Sequence, residues 1–341
     1  MTSPGEAAFF ERVGEDASVR CLLCPRECVI SEGRAGFCRV RKNIGGTLRA
    51  AGYARCSSYA VDPIEKKPLY HFYPGSYILS VGTIGCNLGC RFCQNWRIAH
   101  EDAPTQDIAP ESLVKAAVEE READRRVVGI AYTYSEPVVW YEYVIEAAAR
   151  AREEGLKNVL VTNGFIREEP LKRLLSVIDG VNVDVKAFND EFYRSVCAGT
   201  LEPVLRTVER AAGASVHVEV TTLVVPGLND SDEEIRDLSR WLASVDRAIP
   251  LHFSRYFPNY RMTLPPTPES TLRRCRVTAM DYLHYVFTGN MADEEGQNTY
   301  CPQCGATLLE RSGLALRRSR LEDGRCADCG RSIEVRGEVF V

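Results

Sequence analysis

The sequence predicts an α/β chain built as a partial, open TIM-type βα barrel, with a small cysteine-rich metal module at each terminus. From residue 77 to about 290, short β-branched runs alternate with longer amphipathic ones, the rhythm of βα units around a parallel sheet. Only six or so units fit, too few to close an eight-stranded barrel comfortably. Of the fourteen cysteines, eleven fall into three groups spaced for coordination.

At 341 residues the chain is long for one domain, and a 45% hydrophobic content supports a sizeable core. The reading divides it into a metal-binding module at 1–60, a linker at 61–75, the barrel at 76–292 and a ribbon-like module at 293–341. A formal charge of −5 argues against sequence-independent binding of nucleic acid, which needs a basic surface to displace counterions. The arginine-rich patches at 121–126 and 317–320 therefore read as solvated faces. No apolar run is long enough to span a bilayer and no charged-then-apolar leader opens the chain, so the expectation is a cytoplasmic protein without membrane contact. Thiols stay reduced there, so the cysteines read as ligands rather than disulfides. Cys56, Cys197 and Cys275 lie outside the groups and read as packed thiols.

The first group is Cys21, Cys24, Cys28 and Cys38, with Pro25, Gly33 and Gly36 giving turns between them. Almost no periodic apolar pattern accompanies it, so the module reads as folded by its metal. Zinc is the default for four cysteines and an iron–sulfur cluster the competitor; spacing does not decide. The run from Asp62 to Gly75 follows, kept from regular structure by three prolines and a terminal glycine. It reads as a linker packing its aromatics on the barrel, with Glu65, Lys66, Lys67 and His71 a weaker indication of a substrate entrance.

Strands are predicted at 77–82, 127–133, 157–162, 181–186, 216–224, 250–254 and 284–288. One helix starts at Pro137, where proline suits the first turn. A second starts at Ser231, with Glu234 completing a capping box. A third opens at Thr267-Pro268, with threonine as its cap.

Just past the first barrel strand stand Cys86, Cys90 and Cys93, at C-x3-C-x2-C spacing. Iron–sulfur cubanes normally take four thiolates, so a loop offering three leaves one iron open for chemistry. The competing reading is a closed zinc site with His100 as fourth ligand. At the tail, Cys301 and Cys304 are answered by Cys326 and Cys329 in two C-x2-C-G knuckles, a metal-ribbon pattern for which zinc is the expected ion and a rubredoxin-type single iron the alternative.

Polar residues at strand ends supply the remaining candidates. Alternation puts Asp184 and Lys186 on one side of their strand, where they are costly to bury unless they pair or hold a charged ligand. Glu136 precedes Pro137 and can simply cap that helix. Asn163 begins an Asn–Gly turn. His252, like His217 and His284, reads on residue type alone as a hydrogen-bonded core histidine.

Cys86 to Cys93 resembles the radical S-adenosylmethionine (SAM) signature, with Phe92 as the aromatic before the third cysteine. The likeness extends through CLLCPRECVI with Cys38, DPIEKKPLYHFYPG, CNLGCRFCQNW, TYSEP, DVKAF, PLHFSRYFP and the paired C-terminal knuckles. Together these resemble the AmmeMemoRadiSam-system radical SAM enzymes, relatives of the pyruvate formate-lyase activating enzymes. The resemblance implies a partial barrel of radical SAM type, one catalytic [4Fe-4S] cluster and SAM bound through its amino and carboxylate groups to the open iron. It further implies an external one-electron donor and a 5′-deoxyadenosyl radical that takes hydrogen from a protein or small molecule, a glycyl radical enzyme being the protein suggested. Glu136, Asn163, Asp184, Lys186 and His252 match positions of the SAM site. The N-terminal cysteines depart from the two-cluster ferredoxin insert of some activases. The alternative from another class is a non-catalytic scaffold with zinc in all three groups.

Overall fold

The computed structural model describes residues 5–14 and 17–341. Its centre is one sheet of eight strands running in chain order from edge to edge: β1 (Ser58–Pro63), β2 (Tyr77–Gly82), β3 (Val127–Tyr132), β4 (Lys157–Thr162), β5 (Gly180–Asp184), β6 (His217–Val224), β7 (Leu251–Arg255) and β8 (Val286–Gly289). Strands β2 to β8 are parallel, while β1 runs antiparallel to β2 with Ser58 opposite Gly82 and Pro63 opposite Tyr77. The edges β1 and β8 are not paired, so the barrel is open.

Six helices fill the crossovers: α1 (Pro110–Ala123), α2 (Tyr141–Glu153), α3 (Glu168–Leu175), α4 (Glu202–Ala212), α5 (Asp232–Asp246) and α6 (Glu269–Met280). A parallel strand covered on both faces needs a continuous apolar run, and β2, β3 and β4 supply it from Ile, Leu, Val and Ala. The inner face of α2 carries Val144, Ala147, Ala148 and Ala151, all fully buried. No helix among the described residues is long and apolar enough to cross a membrane.

Three local expectations change. Ser231 does cap α5 by accepting from the Glu234 amide at 3.2 Å, but the Glu234 carboxylate turns away to the Phe188 amide and the Asn189 side chain. Only half of the capping box forms, because that carboxylate pins the β5–α4 connection instead. Thr267 does not cap α6; its hydroxyl donates to the Val224 carbonyl at 2.6 Å, and Pro268 stands at the cap without a side-chain bond. The start of the proline-rich linker is regular after all: Asp62 and Pro63 belong to β1, an edge position where proline's missing N–H costs no ladder bond.

The N-terminal module is a three-stranded antiparallel sheet (Phe10–Val13, Ser18–Cys21, Val29–Ile30) and a hairpin (Arg41–Ile44, Thr47–Ala50). Its Val19, Leu23, Ile30 and Leu48 join the main barrel core, so apolar packing as well as cysteine shapes it. Buried Arg41 reaches Glu142 of α2 at 2.7 Å.

The C-terminal ribbon (Thr299–Tyr300, Thr307–Ser312, Ala315–Ser319) shares a second core with the linker and the end of the barrel through Tyr70, Tyr285, Phe287, Leu308 and Ile333. Arg311, fully buried, donates to the Tyr70 carbonyl at 2.7 Å and to Thr299 at 3.1 Å, and stands 3.6 Å from buried Glu65.

Candidate active site

The cysteine loop leaves the carboxyl end of β2 and is held by backbone from distant parts of the chain. Gly85 N–H donates to Ile98, Gly89 to Cys197, and Arg91 to Val196, while Arg91 accepts from Arg261, all at 2.8–3.0 Å. Asn87 fixes the inside of the loop: its amide donates to the Phe165 carbonyl at 2.7 Å and its oxygen accepts from Asn163 at 2.9 Å. Phe92 is buried 6.0 Å from the Phe192 ring.

A cavity of about 560 Å³ opens there, lined by Cys86, Cys90, Phe92, Cys93, Glu136, Asn163, Asp184 and Lys186. Eight of the nine residues singled out from sequence for the loop and the SAM site thus meet in one place. Ligand pockets span roughly this size, and this one lies at the strand ends where βα folds carry function.

Glu136 shows how tightly the wall is tied. One carboxylate oxygen accepts from the Val138 amide at 3.0 Å and the Thr162 hydroxyl at 2.6 Å, and the other from the Asn163 amide at 2.8 Å. Burial pushes this carboxyl up to about 7, against the pull of those donors. It caps the turn at Pro137 and lines the cavity as well. Asp184 and Lys186 pair at 2.7 Å. Burial opposes the charge on Lys186, but Asp184 and the Cys90 thiol outweigh it and hold the ammonium above its ordinary range. Asn163 sits 3.6 Å from the Cys86 sulfur.

His252 does not line the cavity. It lies deeper in the barrel, 2.6 Å from Glu219, which also takes His217 at 2.9 Å and the backbone amides of Tyr70 and His71. A carboxylate buried without solvent needs several donors, and this histidine is one of them. Its strand contributes Ser254 to the wall instead. His100 also stays out of any ligand set: its ring stacks on Tyr260 at 5.5 Å.

The weaker entrance candidates Lys66 and Lys67 do line the cavity, while two features escape the sequence: the Thr221 hydroxyl in the wall, and the Cys197 thiol, which contacts Cys90. Lys66 and Lys67 reach the cavity from the linker, both bonded to Asp62 at 2.7 Å, with the Tyr134 hydroxyl on the same carboxylate at 2.6 Å. Burial opposes the Asp62 charge, yet the two lysines hold its carboxyl well below the usual range. The available signal was the acid–lysine–lysine run in an otherwise apolar stretch. Cys197 packs its buried thiol against Cys90, a contact no spacing rule foretells. The Thr221 hydroxyl faces the cavity buried and without a protein partner, as a ligand-binding wall allows.

The two terminal cysteine groups differ. In the ribbon all four sulfurs lie within 4.8 Å of one another, with Cys301–Cys329 at 3.6 Å and Cys304–Cys326 at 3.7 Å, so this group could bind a metal. Cys21, Cys24, Cys28 and Cys38 instead surround a cavity of about 20 Å³ shared with Arg26, Arg41 and Asn87.

Comparison with known proteins fits this geometry. The model of the radical SAM superfamily matches residues 80–242. The uncharacterized protein MJ0808 of Methanocaldococcus jannaschii is 44% identical over 338 residues, covering 97% of this chain and 99% of that one. The chain belongs to the radical SAM superfamily. Pyruvate formate-lyase 1-activating enzyme of Escherichia coli K12 is 27% identical over 176 residues, covering 49% of this chain and 71% of that one. Among solved structures, a radical SAM methyltransferase from Sphaerobacter thermophilus has the same fold, with TM-score 0.51 and 20% identity over 64% of this chain and 67% of that one. Membership implies a [4Fe-4S] cluster and SAM, and the donor set fits them: three soft thiols beside carboxylates and an ammonium suited to an amino-acid ligand.

Proposed function

We propose that this protein is an activating-type radical SAM enzyme that draws a hydrogen atom from a glycyl residue of a partner protein. Cys86, Cys90 and Cys93 would hold three irons of a [4Fe-4S] cluster, leaving the fourth for SAM. With an electron from an external donor, that pair supplies a 5′-deoxyadenosyl radical. The observation that carries this reading is the meeting of the three thiols with Glu136, Asn163, Asp184 and Lys186 in one cavity at the strand ends.

The chain's own work is placement and shielding. The Asp184–Lys186 pair presents both charges to a zwitterionic ligand. Glu136, fixed by three donors, holds Asn163 beside Cys86. Lys66 and Lys67, tied to Asp62, wall the side where the linker crosses the cavity. The activase-type target is supported by the likeness to pyruvate formate-lyase activating enzymes. We also assign the ribbon's metal to zinc, the default ion for four cysteines; a tetrahedral ion with bonds of about 2.3 Å spaces thiolates about 3.8 Å apart, close to the ribbon's 3.6–3.7 Å. A non-catalytic zinc scaffold fits less well, since among the described residues Cys86, Cys90 and Cys93 do not gather to single-ion spacing.

The test is anaerobic. Reduced, reconstituted protein given SAM should release 5′-deoxyadenosine, and Cys90→Ser should release none; full activity in that variant overturns the reading. Adding a glycyl radical enzyme should then give the electron paramagnetic resonance doublet of a glycyl radical on the partner. A persistent lack of that signal while the nucleoside forms rejects the glycyl target alone.

A further inference from the structure

The three cysteine groups serve as rulers for one another. Among the described residues only the ribbon cysteines converge within 4.8 Å, the spacing one tetrahedral ion imposes. The N-terminal four do not converge, and neither do the three of the catalytic loop, for which the superfamily implies a cubane. Around a single zinc ion thiolates close up and leave no void, yet the N-terminal thiols enclose about 20 Å³, more than the one probe sphere a water needs. Arg41 lines this cavity fully buried, and its Nε has no partner although its other nitrogens reach Glu142 and the Ala8 carbonyl. An unpartnered guanidinium N–H on a residue that lines a pocket of four cysteines is a donor suited to a sulfur-rich anion.

The cavity is also next to the catalytic loop. Asn87, immediately after Cys86, lines it. At Gly85 the backbones touch: with φ at +89°, a Cβ there would stand 2.5 Å from the Cys38 carbonyl oxygen. Arg26 spans the seam, donating to the Asn87 carbonyl at 2.5 Å and to the Ala198 carbonyl, with its head 3.5 Å over the Phe37 ring. Away from that seam Glu27 and Val29 are exposed, and Cys24 and Cys28 are half-buried.

We propose that Cys21, Cys24, Cys28 and Cys38 hold a second, fully ligated [4Fe-4S] cluster that relays electrons to the catalytic one. A low-potential one-electron donor of the flavodoxin or ferredoxin class reduces it on the exposed side. It is reoxidised by giving that single electron to the loop cluster across the Cys38–Gly85 and Asn87 contact, with no bond made or broken. The relay rests on the reading that the loop holds a cluster; the N-terminal cluster does not.

Metal analysis separates the two. Wild-type protein reconstituted under anaerobic conditions should carry two cubanes' worth of iron and sulfide and one zinc per chain. The variant Cys86→Ala/Cys90→Ala/Cys93→Ala should keep half the iron, with a dithionite-reduced cubane signal that SAM does not shift, because every iron already has a protein ligand. Two zincs and no iron in that variant overturn the N-terminal cluster, whereas undiminished iron there overturns the loop reading instead. For the relay, the fully reduced wild type should show spin–spin broadening that the loop variant lacks. Independent, unbroadened signals reject it. In Cys24→Ala/Cys28→Ala, reduction of the loop cluster by flavodoxin should be lost while reduction by titanium citrate persists; unchanged flavodoxin reduction likewise rejects the relay.

Discussion

Both ends of the chain carry four cysteines, and they use them in opposite ways. The C-terminal thiols draw together to 3.6–3.7 Å and sit on a core shared with the linker and barrel end, while none of the four lines the large cavity. The N-terminal thiols stand apart around a void and share backbone contact with the catalytic loop. Four cysteines in a row of turns therefore do not define a role. What separates the modules is the spacing the fold enforces and the surface each one touches.

The largest effect should come from the ribbon. Structural zinc in small modules is worth an apparent ~10–16 kcal/mol. Cys301→Ser with Cys326→Ser should therefore lose the zinc and the hydrogen-exchange protection of Thr307–Ser312, while iron content stays at its wild-type level. Loss of iron along with the zinc would erase the distinction between the modules.

Next is the anchor of the same ribbon. Arg311→Met leaves Glu65 buried without its charge partner and should cost about 3–5 kcal/mol in urea unfolding. A change near zero would mean the ribbon is held by its apolar core alone.

A matched pair of glycines sharpens the contrast further. Gly305 in the ribbon has φ +75° and open space around it, so Gly305→Ala should cost only the ~1–2 kcal/mol of a left-handed alanine. Gly85→Ala meets the Cys38 carbonyl as well, and overpacking should add about 1–3 kcal/mol. It should also weaken iron retention at both neighbouring sites; equal costs for the two substitutions would argue that the cysteine loops are not in rigid contact.

The smallest effect is acid sensitivity at the buried histidine that ties the linker to the ribbon; residues 1–60 contain no histidine. His71 holds the ribbon through Thr299 and the Glu334 carbonyl, and burial depresses its pKa from 6.5 to about 3. The unfolded chain takes up that proton below 6.5 and the folded one does not, so stability falls as pH drops from 6.5 toward 3. Glu219, held below its ordinary 4.5 by His217 and His252 against the opposing effect of burial, contributes a further loss below that value. In His71→Asn the decline between pH 6.5 and 4.5 should flatten, read from melting temperature against pH.

Much of this is legible in the sequence because the signals are local. The seven parallel strands follow from apolar runs, and three cysteines within eight residues share one loop however the rest folds. Asp184 and Lys186 were found through alternation, a property of a single strand. What the sequence does not show lies where partners are far apart along the chain. His252 bonds Glu219, 33 positions earlier, a contact no local pattern signals. Lys67 is a linker lysine until β1 brings Asp62 and Tyr134 to it. Cys197 and Gly85 carry no pattern at all, since their meaning lies in what the tertiary fold sets beside them.

The anchoring of the catalytic loop bears on how this protein is made. Gly89 and Arg91 are fastened to Cys197, Val196 and Arg261, residues that leave the ribosome long after the three cysteines do. A growing chain thus displays Cys86, Cys90 and Cys93 as loose thiols, free to trap stray metal, until the segments that carry Val196, Cys197 and Arg261 have followed. Iron is best delivered once the barrel has assembled, so the order of synthesis makes maturation of the cofactor a late event.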